Sequence, residues 1–201
     1  MRRDDLIAML AEFVGPVGPL GSVDDHFQQR DDRIASADFD DVDLLVDLLL
    51  HPPKLAPVYT EEGKWDSAVV DSLITWGRRD PARTLPKIGP LLSNKALSPA
   101  VIRIIGGLRH PDGLRWLIPL VDSAAGLTEE ERIALAGALG EIGGDDARKL
   151  VDRLRGVPNM TPGLQNEIDV ASKASLCPPE QRSWFYGTLR ETYEHLKGRT
   201  W

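Results

Sequence analysis

Signals for the start of a helix recur at nearly constant intervals through the second part of this 201-residue chain. Asp, Ser or Thr just before a helix accepts hydrogen bonds from its free N–H groups, and Pro fits the first helical position. Such signals stand, at intervals of 32, 30 and 33 residues, at Asp66, Ser98-Pro99, Thr128 with Glu131, and Thr161-Pro162. A repeat of this period predicts a stack of similar helical units.

A second series of start signals lies between the members of the first. Its members are Asp80-Pro81, His110-Pro111-Asp112, Gly144-Asp145-Asp146 and Pro178-Pro179-Glu180. Each unit is therefore predicted to be a helix A, a tight turn and a helix B, and His110 is predicted to be a turn residue.

Apolar residues at helical spacing follow every start signal and predict one buried face for each helix. In the A helices they are Val69, Val70, Leu73, Ile74, Val101, Ile102, Ile105, Leu108, Ile133, Ala136, Leu139, Ile142, Ile168 and Ala171. In the B helices they are Leu85, Ile88, Leu91, Leu92, Leu114, Leu117, Ile118, Val121, Leu150, Val151, Leu154, Phe185, Leu189, Tyr193 and Leu196.

Two of the units align at an offset of 34 residues, which matches 105–112 with 139–146. The segment 135–147, LAGALGEIGGDDA, resembles the HEAT-like repeat of the phycobilisome-lyase type. Its small residues suit close approach between neighbouring A helices, and its Gly143-Gly144 pair suits a turn with positive φ.

The resemblance implies an all-α fold, a right-handed α-solenoid of about four HEAT-like helix pairs. The predicted units are 66–97, 98–127, 128–160 and 161–197. The resemblance does not define a function, because proteins of this kind include both enzymes and adaptors.

The first 65 residues depart from the repeat and predict an irregular, acidic N-terminal helical cap. Helices are expected over about 3–14 and 41–50, followed by a long loop over 51–65 that contains several prolines. A terminal cap closes one end of the core of a repeat stack, so we treat the cap and the repeats as one continuous domain.

Acidity is concentrated in the cap. Nine Asp residues and only two Arg residues lie between positions 24 and 47, a charge of −7 that equals the net charge of the whole chain. Helix capping accounts for Asp40, Asp41 and Asp43. Two interpretations stay open for Asp24, Asp25, Asp31 and Asp32: a solvated segment, or a contact surface for a basic protein. The segment lacks the central Gly and terminal Glu of an EF-hand, so no metal site is predicted.

Basic residues recur at aligned positions of the B helices: Arg83, Arg115 and Lys149, with Arg148 and Arg182 nearby. The resemblance implies that B helices line the concave face, where these cations would contact an acidic segment or phosphates. The alternative is a solvated face that only keeps the helices soluble. The net charge argues against a general nucleic-acid binder.

Three consecutive aromatics, 184–186, cannot all face one buried stripe. Trp184 or Tyr186 is therefore expected to be partly exposed as an anchor for a partner, unless it packs on Trp201 or the previous repeat. Three further residues are predicted to lie in the core: Trp76, Trp116 and Cys177.

No motif for catalysis, nucleotides or metal binding occurs, and the four His residues lack metal-ligand spacing. No cofactor is predicted. The acidic start and the absence of a long apolar run predict a chain that is neither exported nor inserted in a membrane, and the single cysteine suits the reducing cytoplasm.

The leading functional hypothesis is a non-enzymatic interaction module or adaptor, which binds a protein through the concave helix-B face or the acidic N-terminal segment. One alternative is an immunity or antitoxin protein whose segment 24–47 neutralises a basic toxin. Another is a glycosylase-like enzyme that acts on nucleic acid through Arg83, Arg115 and Lys149.

Overall fold

In the computed structural model, the described residues are 2–14, 42–55, 64–178 and 181–182. All regular structure among them is helical, which confirms the predicted all-α class for this part of the chain. The α-helices are α1 Arg3–Val14, α2 Val42–Leu50, α3 Lys64–Gly77, α4 Pro81–Ile88, α5 Ser98–Gly107, α6 Leu114–Asp122, α7 Glu129–Ile142, α8 Gly144–Leu154 and α9 Pro162–Ser175. Short 3-10 helices lie at Gly89–Ser93, Pro111–Gly113 and Ala124–Gly126.

The chain divides into two compact units, Met1–Asp80 and Pro81–Trp201. In the first unit, α3 packs on both α1 and α2. The predicted helices over 3–14 and 41–50 are present as α1 and α2. The Arg3 side chain ties them together, because it donates to the Asp47 carboxylate at 2.7 Å and to the His51 carbonyl at 2.8 Å. The core of this unit contains Leu6, Leu10, Leu45, Leu48, Leu73 and Trp76.

Side-chain caps stabilise the starts of α7 and α9 in the second unit. The Thr128 hydroxyl accepts from the Glu131 N–H at 3.2 Å, while the Glu131 carboxylate accepts from the Thr128 N–H at 2.9 Å. Thr161 caps α9 in the same way through the Leu164 N–H. The start predicted at Ser98 is one residue off, because Leu97 occupies the capping position and no side chain caps α5.

The turns between helices of a pair share one backbone feature. Gly143 and Gly144 connect α7 to α8 with φ of 62° and 85°. Arg109, which aligns with Gly143 in the sequence repeat, has φ of 52°. The two aligned turns therefore both use the left-handed region, which glycine adopts without steric cost. His110 lies in the first of these turns, as predicted, and its Nδ1 accepts from the Asp112 N–H at 3.3 Å.

The A helices α5, α7 and α9 pack in sequence, with α7 in contact with both neighbours. Lys95 and Arg109, at either end of α5, lie 3.8 Å and 3.3 Å from carboxylate oxygens of Glu131 and Glu141 at the two ends of α7. The two helices therefore run parallel. A methyl group on Gly106 would overlap the Ala138 backbone, so close approach through small residues is confirmed here.

The B helices α6 and α8 both contact α7 and also contact each other. The end of α6 lies near the start of α7, and the single residue Gly143 reverses the chain from α7 into α8. Both B helices therefore run against α7 and parallel to each other. An ion pair between Asp122 and Arg153 joins their C-terminal turns.

Most of the predicted apolar faces are buried, but several residues differ from the prediction. Ile118 is 40% exposed, because the nine-residue α6 turns only the side of Leu117 and Val121 to the core. Trp116 and Cys177, both predicted to be in the core, are half-buried. Four other predicted core residues are also half-buried, namely Leu91, Leu92, Leu114 and Ile133. The predicted last B helix, with Phe185, Leu189, Tyr193 and Leu196, lies outside the described residues.

Candidate interaction surface

Exposed residues recur every three or four positions along α6 and α8, on the side turned away from the core. Arg115, Ile118, Pro119 and Asp122 form this line on α6. Asp145, Arg148, Lys149 and Asp152 form it on α8. We call these eight residues the α6–α8 face.

An apolar pair stands within this face. Pro119 lies inside α6 and has no N–H to donate back along the helix, so the Arg115 carbonyl lacks its usual helical partner. Because Pro119 is exposed, water reaches this part of the backbone. Ile118 and Pro119 thus present adjacent apolar side chains among charged neighbours.

Several charges on and around the face are already neutralised. The Lys149 ammonium donates to the Asp146 carboxylate at 2.8 Å, and this bond lowers the pKa of Asp146 and raises the pKa of Lys149. Arg155, just beyond α8, donates to Asp169 at 2.8 Å on α9, and this bond lowers the pKa of that carboxyl. The first pair lies within α8 and the second connects the end of α8 to α9, so both cations already have a carboxylate partner.

Two arginines of the face keep their donors available. The Arg115 guanidinium lies 5.5 Å from the centroid of the Trp116 ring and makes no ion pair with a described residue. The Trp116 ring in turn rests on Gly89, where any side chain would overlap it. Arg148 has Asp145 and Asp152 one turn away on α8 but pairs with neither.

The predicted basic ladder is only partly assembled on this face. Arg115 and Lys149 lie on it, and Arg83 is exposed on α4. Arg182 does not belong to an exposed ladder, because it is buried. Its Nε donates to the Cys177 carbonyl at 3.0 Å and its guanidinium also donates to the Ile142 carbonyl, against Gly143. Arg182 therefore anchors the chain to the end of α7.

The other predicted binding residues lie outside the described residues. They are Asp24, Asp25, Asp31, Asp32, Trp184 and Tyr186. Sequence reasoning missed Ile118 as an exposed residue, although its spacing of three from Arg115 places it on the charged side of α6.

Among the residues of the second unit that the structure describes, one carboxylate is buried, that of Glu131, which is 4% exposed. Burial raises the pKa of this carboxyl, but hydrogen bonds from the Thr128 N–H and hydroxyl, with the nearby Ser98 hydroxyl and Lys95 ammonium, lower it further. The net pKa is below the ordinary value, so Glu131 is a charged helix cap. It is not poised as an acid.

A carboxylate and an imidazole also meet in the first unit. The Asp47 carboxylate lies 2.9 Å from Nδ1 of His51. Hydrogen bonds from Arg3, and then from His51, lower the pKa of Asp47. Within the ranges that the structure describes, no group of three or more His, Cys, Asp or Glu residues is arranged to hold a metal ion.

No protein-family model, curated protein or solved structure matches this chain. Among the described helices, none combines the length and apolar character needed to cross a membrane.

Proposed function

We propose that this chain is a non-enzymatic protein-interaction module, built as a right-handed α-solenoid of HEAT-like helix pairs. Support for the repeat comes from three bonds between neighbouring helices that join residues at nearly the same separation along the sequence. The Arg109–Glu141 and Glu129–Thr161 bonds each join residues 32 apart, and the Asp122–Arg153 bond joins residues 31 apart. Repeat stacks make contacts of this kind between each unit and the next.

The proposed binding role is supported by the composition of the α6–α8 face. Its apolar pair, Ile118 and Pro119, lies in water beside two arginines without carboxylate partners. Protein interfaces combine an apolar centre with a charged rim, and arginine is enriched in them. We also propose a cytoplasmic location, for which the single Cys177 is the support.

Affinity purification from native cells, followed by hydrogen exchange on the purified complex, tests this function. We expect one reproducible protein partner, and we expect it to slow exchange of α6 and α8 amides. Failure to recover a partner, together with a detected turnover activity, would overturn the proposal. Unchanged exchange over 114–154 with a partner bound would also contradict it. Loss of binding on neutralising Asp24, Asp25, Asp31 and Asp32 would then assign the interface to the acidic segment.

A further inference from the structure

We infer that the α6–α8 face receives an acidic segment of a partner protein that carries one large apolar side chain. This inference rests on the proposed function and specifies the partner's chemistry. Seven Lys and Arg residues lie between positions 109 and 155. Five of them have partners, which are Arg109 with Glu141, Arg132 with the Pro158 carbonyl, Lys149 with Asp146, Arg153 with Asp122, and Arg155 with Asp169.

The two cations without a carboxylate or carbonyl partner are Arg115 and Arg148, and both belong to the α6–α8 face. A guanidinium carries five N–H donors in a planar fork that matches a carboxylate. The Trp116 ring supports Arg115 from one side, which limits the conformational freedom that Arg115 would lose on binding. These two side chains are therefore suited to receive carboxylates from outside.

The register of α6 and α8 places the two arginines around the apolar pair. Arg115 precedes Ile118 by one turn on the same side of α6. The helices α6 and α8 run parallel, and the Asp122–Arg153 ion pair places their C-terminal turns side by side. Ile118 and Lys149 each precede a member of that pair by four residues, which is about one turn. Ile118 and Lys149 therefore lie at the same height along the two helices. Arg148 is the neighbour of Lys149. A bound segment would therefore meet Arg115, then the apolar pair, then Arg148.

The same surface disfavours nucleic acid. Asp145 and Asp146 occupy the first turn of α8, where a phosphate would otherwise bind the helix N-terminus, and they would repel the continuous row of phosphates of a nucleic acid. An acidic segment avoids this repulsion when its carboxylates are confined to the positions beside Arg115 and Arg148. The exposed Ile118 and Pro119 offer a nucleic-acid backbone no polar contact. An apolar side chain on an acidic peptide uses both features of the face.

Selection of displayed random short peptides on the full-length chain at low salt tests this inference. We expect the enriched peptides to contain Asp or Glu beside one large apolar residue. Fluorescence anisotropy of a selected peptide should show roughly tenfold weaker binding to the Arg115→Glu, Arg148→Glu double variant, since two attractive charges become repulsive. Ile118→Ser should also weaken binding. Arg103→Glu, which reverses an exposed charge on α5, is the matched control and should bind as the parent does.

Each other result overturns the inference. Enrichment of basic or uncharged peptides, no enrichment at all, or affinity unchanged by the double variant would show that the face does not receive an acidic segment. Binding of a labelled oligonucleotide that depends on Arg115 and Arg148, without peptide enrichment, would assign the face to nucleic acid. The proposed function is judged separately, because a partner purified from cells that binds elsewhere on the repeats leaves it intact.

Discussion

Gly106 determines how closely the A helices α5 and α7 pack. At Gly106 a methyl group would overlap the Ala138 backbone, which cannot move without displacing α7 from α5. We predict that Gly106→Ala lowers the free energy of unfolding by about 1–3 kcal/mol, because this overpacking outweighs the better helix propensity of Ala. Urea unfolding followed by circular dichroism measures the change.

Gly126 provides the matched control for this substitution. A methyl group there would meet nothing within 4 Å. Gly126→Ala should therefore leave stability unchanged or raise it by up to about 1 kcal/mol. Equal stability loss at both positions would show that close packing is not the reason for Gly106.

Substitutions at Leu117 and Ile118 test which side of α6 faces the core. Leu117 is fully buried and Ile118 is 40% exposed, although the sequence pattern predicts both in the core. We predict that Leu117→Ala costs about 2–5 kcal/mol, whereas Ile118→Ser changes stability by less than about 0.5 kcal/mol. Thermal and urea unfolding of the two variants measure this. A large loss for Ile118→Ser would contradict the exposure of this residue.

At the scale of helices, local chemistry predicted the starts and non-local packing decided the rest. Thr128, Thr161 and the Gly143 turn could be identified from the sequence, because a cap or a turn depends on residues within a few positions. The exposure of Ile118 depends on where α7 and α8 pack. Burial of Arg182 depends on the Ile142 carbonyl, 40 residues away, which no local pattern indicates. The binding role that we propose for the α6–α8 face likewise depends on which cations have carboxylate partners.

The cap of α7 gives a pH-dependent prediction. The pKa of Glu131 is lower in the folded chain than its ordinary value of 4.5, so its stabilising effect is complete above that pH and is lost as pH falls toward the folded pKa. We predict that Glu131→Gln costs about 1 kcal/mol at pH 7 and less at pH 3, as measured by urea unfolding at both values. The exposed neighbour Glu130→Gln serves as the control, and an equal cost for Glu131→Gln at both pH values would refute a charged cap.

At the scale of the second unit, α7 is the helix in contact with α5, α6, α8 and α9. Leu139 on α7 and Ile168 on α9 are both fully buried, but the main packing of α9 among the described helices is on α7 and α8. In a repeat stack, each unit is stabilised by its contacts with the neighbouring units. A side-chain truncation that leaves a cavity in a central unit therefore destabilises the units on both sides of it.

We therefore predict different patterns of loss for two cavity variants of similar local cost, about 2–5 kcal/mol each. Leu139→Ala should accelerate hydrogen exchange across α5 to α9 together, because it weakens the contacts that α7 makes with every other helix of that group. Ile168→Ala should accelerate exchange mainly in α9 and leave α5 protected. Hydrogen exchange with mass spectrometry, resolved by helix, distinguishes the two patterns. If Ile168→Ala accelerates exchange in α5 as strongly as in α9, the second unit unfolds as a single cooperative core, and the neighbour-coupled repeat architecture that we propose is wrong.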